Sequence, residues 1–89
     1  MLRITRIEAS DVHVTLKLEG QLVSDWVTEL ERECQRTLAQ HQRVRLDLQD
    51  VTSVDRRAAR MVAALPADSV VLVNCPPIVR ELLERPGPT

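Results

Sequence analysis

Between residues 12 and 19 every second side chain is aliphatic (Val12, Val14, Leu16, Leu18), and those in between are His13, Thr15, Lys17 and Glu19. The pattern returns at 43–49, where Val44, Leu46 and Leu48 alternate with Arg45, Asp47 and Gln49. A period of two belongs to an extended strand with one face buried and the other wet. In a doubly wound sheet both faces are covered and strands are apolar throughout, so that architecture is excluded. The helices must share one side of the sheet and leave the other polar.

The remaining elements follow from period and punctuation. Leu2 to Ile7 reads as a strand, and Ala9-Ser10-Asp11 supplies a turn into the strand at 12–19, which Gly20 ends. From Ser24 the period becomes helical: Val27, Leu30, Cys34 and Leu38 form one stripe, Ser24 with Asp25 fits an N-cap with an acidic first turn, and the helix fades near His41-Gln42. After the strand at 43–49, residues 50–54 read as a short connection. Asp55 is then the N-cap of a helix with Ala58, Met61, Val62 and Leu65 inward, stopped by Pro66. Ser69 to Val73 reads as a buried strand, and Asn74-Cys75-Pro76-Pro77 opens a last helix with Ile78, Val79, Leu82 and Leu83 as its apolar stripe. The order is β-β-α-β-α-β-α, an N-terminal hairpin followed by βαβαβα in a mixed sheet. Residues 1–85 form one domain, and Pro86-Gly87-Pro88 leaves 86–89 as a frayed tail.

Composition narrows the chemistry. The 89 residues include 12 basic and 13 acidic side chains, a net charge of −1, and a single aromatic residue, Trp26. Broad attraction to phosphates and stacking on nucleic-acid bases both lack support. With only Gly20 and Gly87 there is no phosphate-cradling loop, and His13 and His41 have no metal-ligand spacing. No serine sits in a nucleophile elbow. No catalytic residue, cofactor or metal site is expected. No apolar run reaches the ~18 residues of a membrane span, so the chain reads as soluble and cytoplasmic. Cys34 and Cys75 form no C-x-x-C pair and read as free thiols.

Asp55-Arg56-Arg57-Ala58-Ala59-Arg60 breaks a local rule. A helix N-terminus carries partial positive charge, so two arginines in its first turn are unfavourable there unless something offsets them. One reading is a site for an anion or an acidic partner. The other is a solvated face whose arginines pair with Asp50, Asp55 or Asp68. Arg56 and Arg60 share a face at i, i+4, while Arg57 points elsewhere.

Leu46-Asp47-Leu48-Gln49-Asp50-Val51-Thr52-Ser53-Val54-Asp55 resembles the strand-loop signature of the STAS family, the sulphate-transporter and anti-sigma-factor-antagonist domains, in which D-L-S-x-V-x-x-I-D-S-x-G leads into a helix. Leu18-Glu19-Gly20-Gln21-Leu22 resembles the family's L-x-G-x-L element, and Pro77 to Glu84 its final helix. The resemblance implies a STAS-like fold and a signalling or transcription-regulating module that binds proteins. Its partner would be an anti-sigma factor kinase or a subunit of a transport complex. In the bacterial antagonists the residue after the second Asp of the signature is a phosphorylated Ser or Thr; here it is Arg56, followed by Arg57 and Ala58. A guanidinium cannot accept a phosphoryl group and has the opposite charge to phosphoserine. The usual switch is therefore expected to be missing, with no phosphoacceptor role passing to Thr52 or Ser53. The partner-binding set is Asp50, Thr52, Ser53, Asp55, Arg56, Arg57 and Arg60. Two other readings stay open: a small-anion or lipid-headgroup site at the same helix start, and self-association into a homodimer through the open sheet face or an uncovered edge strand.

Overall fold

The two alternating segments become the central strands of the sheet. In a computed structural model, which describes residues 2–40 and 42–84, the chain runs β1 (Leu2–Ala9), β2 (His13–Leu22), α1 (Asp25–Ala39), β3 (Arg43–Val54), α2 (Arg56–Ala64), β4 (Val70–Val73) and α3 (Pro77–Glu84). The strands lie side by side in the order β1-β2-β3-β4. β1 and β2 pair antiparallel, whereas β2, β3 and β4 run parallel, as strand-helix-strand units require. Ser10 closes the hairpin: its hydroxyl accepts from the N–H groups of Val12 (3.2 Å) and His13 (3.0 Å). The expected tail at 86–89 and the fading of the first helix at His41 lie outside the described residues; α1 is capped at Gln40.

Alternation decides which side the helices take. Val14, Leu16, Leu18, Val44, Leu46 and Leu48 all face one side of the sheet and are each at most 1% exposed. They meet Val27, Leu30 and Cys34 of α1, Ala58, Ala59 and Met61 of α2, and Val79 of α3 in one core. Along one row of that face, Arg6, Leu16, Leu46 and Leu72 follow one another from β1 to β4. The middle pair is sealed, and the ends reach solvent.

Several expectations need correction. β3 does not stop at Gln49 but continues to Val54 as a strand of 12 residues. Its register against β2 slips twice, between Lys17 and Glu19 and between Gly20 and Gln21, and each time β3 holds one residue more than β2. Such bulges break the period of two, so inward positions pass from Leu48 to Val51 and then to Val54. Gly20 sits at the second slip with φ 107°, a conformation that favours glycine. Asp47, expected on the wet face, is buried at the first bulge and accepts the Gln49 N–H at 3.1 Å. Thr15 on the same polar face is also buried. Val12 precedes β2 and is exposed.

β4 is the other departure. Its four residues form an edge strand, and Val71 and Leu72 are exposed although all four side chains are apolar. The apolar run reads as a buried strand because composition alone does not distinguish an edge strand from a covered one. On α3, Ile78 and Leu82 are likewise exposed, and the inward stripe is Val79 with Leu83.

Neither cysteine is in a disulfide, and Cys34 is fully buried on α1. Burial, with smaller contributions from Glu33 and Glu31, pushes its thiol up from 9.0 to about 11. A value raised by the fold means that the native state holds this proton longer than the unfolded chain. The stability linked to it is therefore complete below about pH 9 and is lost as the pH climbs toward 11. With a thiol-specific disulfide reagent at neutral pH we expect one native thiol, the half-buried Cys75, to react and Cys34 to react only on unfolding. Two equally fast thiols in the native protein would contradict the buried placement of Cys34.

Candidate functional site at the end of β3 and the start of α2

β2 and β3 end in step, with Leu22 opposite Val54, and each leads directly to a helix start. That shared ending brings Ser24 next to Asp55. Ser24 does not cap α1 with its side chain, contrary to expectation; its backbone is held at φ 53°, and its N–H donates to Asp55 Oδ2 at 2.9 Å. The other oxygen of the same carboxylate, Oδ1, accepts the Ala58 N–H at 2.8 Å, which makes Asp55 the N-cap of α2. One side chain therefore fixes the starts of two helices. Sequence reading found the cap but missed the second bond, because nothing local links positions 24 and 55.

The remaining residues of the expected set spread around this clamp. Thr52 is exposed on β3 and donates its hydroxyl to the Gly20 carbonyl at 3.2 Å. Asp50 is exposed and pairs with Lys17 at 3.4 Å. Ser53 is half-buried opposite Gln21. Arg57 turns toward α1 and donates to Thr28 Oγ1 at 3.3 Å. Arg56 and Arg60 are exposed one helical turn apart. Among the described residues neither side chain makes an ion pair or a hydrogen bond.

That arrangement leaves the arginine run without the pairing partners expected for it, since Asp68 makes no ion pair among the described residues either. Asp50 and Asp55, the two nearest carboxylates in sequence, are already used, one by Lys17 and the other by backbone N–H groups. No ion pair offsets the arginines among the described residues. Two guanidinium groups thus stand free on one face of a helix whose N-terminus adds positive potential. Chemically this face can bind carboxylates through forked hydrogen bonds. Among the described residues no group of three or more His, Cys, Asp or Glu is placed to hold a metal ion, and no helix is long and apolar enough to cross a membrane.

Sequence reading missed a second feature altogether. A groove of about 990 Å³ runs between β1 and α1, lined by Leu2, Ile4, Leu16, Trp26 and charged residues of both elements. The signal available for it was the lone aromatic residue on the first turn of a helix, a bulky apolar group where the chain otherwise places charge.

Comparison with known proteins gives the same fold. A family model described as "Mlab, STAS domain" matches residues 5–87. The anti-sigma factor antagonist SpoIIAA in its unphosphorylated form superposes with a TM-score of 0.72 at 16% identity, covering 97% of this chain and 84% of that one. An uncharacterised protein of the DUF3478 family with a SpoIIAA-like fold, from Shewanella loihica PV-4, gives 0.58 at 14% identity, covering 86% of this chain and 69% of that one. Both structural likenesses are of fold. No functionally curated protein matches. The hairpin, the parallel strands with helices on one face and the match across residues 5–87 together establish that this chain belongs to the STAS domain family.

Proposed function

We propose that this STAS domain is a non-enzymatic protein-interaction module that docks an acidic surface of its partner through the end of β3 and the first turns of α2. Arg56 and Arg60 are the contacting cations, Asp55 is their mount, and Asp50, Thr52, Ser53 and Arg57 form the surroundings. The observation that carries this reading is the pair of exposed guanidinium groups without partners among the described residues, beside carboxylates that are used elsewhere. The SpoIIAA-like fold supports a partner of the anti-sigma-factor or complex-subunit kind. With Arg56 at the position where the resemblance places a phosphoacceptor, the association is constitutive and responds to ionic strength instead of phosphorylation. Charge complementarity of this kind governs specificity and encounter rate more than affinity.

The small-anion reading is weaker, because the Asp55 carboxylate already occupies the α2 start and supplies an anion from within the chain. Inorganic phosphate at millimolar concentration is accordingly expected to leave the melting temperature unchanged, whereas a phosphate site would raise it.

The decisive variant is Arg56→Glu, Arg60→Glu. Both positions are exposed, so folding is retained, and a glutamate in the first turn suits the helix dipole better than the arginine it replaces. We expect the variant to melt no lower than the wild type and to lose at least tenfold in partner binding. The partner is to be captured from native lysate and then measured against purified protein at low and high salt. Equal binding by both proteins would reduce the arginines to a solvated helix face.

A further inference from the structure

The two edges of the sheet are built differently. β1 carries the exposed charges of Arg3 and Arg6 and is broken by a register shift between Arg6 and Glu8. Charges and bulges of this kind keep an edge from pairing with another chain. β4 has neither: Val70-Val71-Leu72-Val73 holds no charge and no proline, and its register against β3 is unbroken. Val71 is 55% exposed and Leu72 37%.

Strand geometry decides which backbone groups on this edge are open. The Ser69 carbonyl accepts the Val44 N–H at 2.8 Å and so points to β3. Peptide groups alternate in direction along a strand, so in the register Val44 to Val70 and Leu46 to Leu72 the N–H and C=O groups of Val71 and Val73 point to β3 as well. Those of Val70 and Leu72, and the N–H of Asn74, point away from it. The Val70 N–H is taken by the Pro66 carbonyl at 2.9 Å. What remains is an acceptor at Val70, a donor and an acceptor at Leu72, and a donor at Asn74. Among the described residues none of these groups has a protein partner. Asn74, at φ 54°, then turns the chain out of the strand and takes its own carbonyl out of the row.

That row is its own complement. A two-fold axis through Leu72, perpendicular to the sheet, sets Leu72 opposite the second copy's Leu72, and the two exchange both of their hydrogen bonds. Each Asn74 N–H then meets the other copy's Val70 carbonyl. The gaps coincide too, because the occupied Val70 N–H faces the place that the Asn74 carbonyl has left. The turn that begins at Pro66 stands beside Val70, so a strand pairing here must end at that point, as β4 does at Val73. A longer foreign strand would run into this turn. We propose that the domain forms a two-fold dimer by antiparallel pairing of β4 with β4 of a second copy, centred on Leu72. Two sheets become one, with all helices on the same face. Strands this short bury less than the about 1,200 Å² of a stable interface, so the dimer is weak and fills as concentration rises.

Sedimentation of the wild-type protein up to about 1 mM tests the association. We expect a shift from monomer toward dimer across that range. Residue 72 faces itself, so Leu72→Lys and Leu72→Glu, each alone, weaken association at least tenfold by setting like charges directly opposite. Their equimolar mixture associates again. Amide hydrogen exchange needs no substitution: the Leu72 and Asn74 N–H groups exchange freely in dilute protein and slow as the dimer fills, whereas Val71 and Val73 are slow throughout. This second readout decides the matter even where a substitution disturbs folding. A wild-type monomer at about 1 mM, association unchanged by either substitution, a mixture no more associated than its components, or slowing confined to β1 would each overturn the proposal. The Arg56→Glu, Arg60→Glu protein dimerises as the wild type does, so failure here is distinguishable from failure of the α2 docking surface.

Discussion

Leu46→Ala is expected to lower the free energy of unfolding by about 3 kcal/mol, within the range for a leucine removed from a packed core. Leu46 is 0% exposed and lies between Leu16 and Leu72 in the row that crosses the sheet, on the face that the helices cover. No neighbour can move into the gap without leaving another. A domain of this size has about 5–10 kcal/mol in total, and each kcal/mol shifts its melting temperature by about 4–8 °C. The variant should therefore melt more than about 10 °C below the wild type in a calorimetric or circular-dichroism scan. A loss under about 1 kcal/mol would mean that the row is looser than its burial indicates. The same change at Leu72, a third exposed at the sheet edge, should cost much less.

Asp55→Ala should have the next largest effect, and it should act on both stability and binding. The substitution removes the acceptor for Ala58 N–H and the acceptor for Ser24 N–H together. A lost N-cap alone costs about 1 kcal/mol, and a hydrogen bond to a charged group is worth about 1.5–3 kcal/mol. We expect a total of about 2–3 kcal/mol, read by urea denaturation. Partner binding should fall as well, although Arg56 and Arg60 are untouched, because the first turn of α2 frays and no longer holds them at a fixed spacing. Asp55→Asn keeps one acceptor oxygen and should fall between the alanine variant and the wild type. A variant at position 55 with full stability would show that neither helix start depends on this carboxylate.

Much of the fold was legible because the chain is consistent at the local level. The one-sided alternation at 12–19 and 43–49 located the central strands and put the helices on a single face. The stripe through Val27, Leu30 and Cys34 marked α1, and Asp55 marked the start of α2. The errors share a cause. At 50–54 the strand continues but two bulges cancel its period, so the sequence reads as a connection. At Ser24 the residue type fits a cap, but its N–H is claimed by a carboxylate thirty-one positions away, and its backbone adopts φ 53° in place of a cap conformation. At β4 the composition is that of a covered strand, and only the pairing order shows it to be an edge. Each error involves a partner distant in sequence. The candidate site was legible in its residues but not in its wiring: that Lys17 pairs with Asp50 and that Ser24 shares Asp55 are contacts between positions more than thirty residues apart.

The double duty of Asp55 also bears on how such a domain can diverge. Because the two helix starts are tied to one side chain and not to the arginines, the side chains at 56 and 60 can be exchanged without disturbing the frame that displays them. On the docking surface proposed above, drift at those two positions would change which partner is recognised, while drift at 55 threatens the fold itself. A duplicated copy of this gene could thus acquire a new ally by a pair of codon changes, keeping the same skeleton throughout.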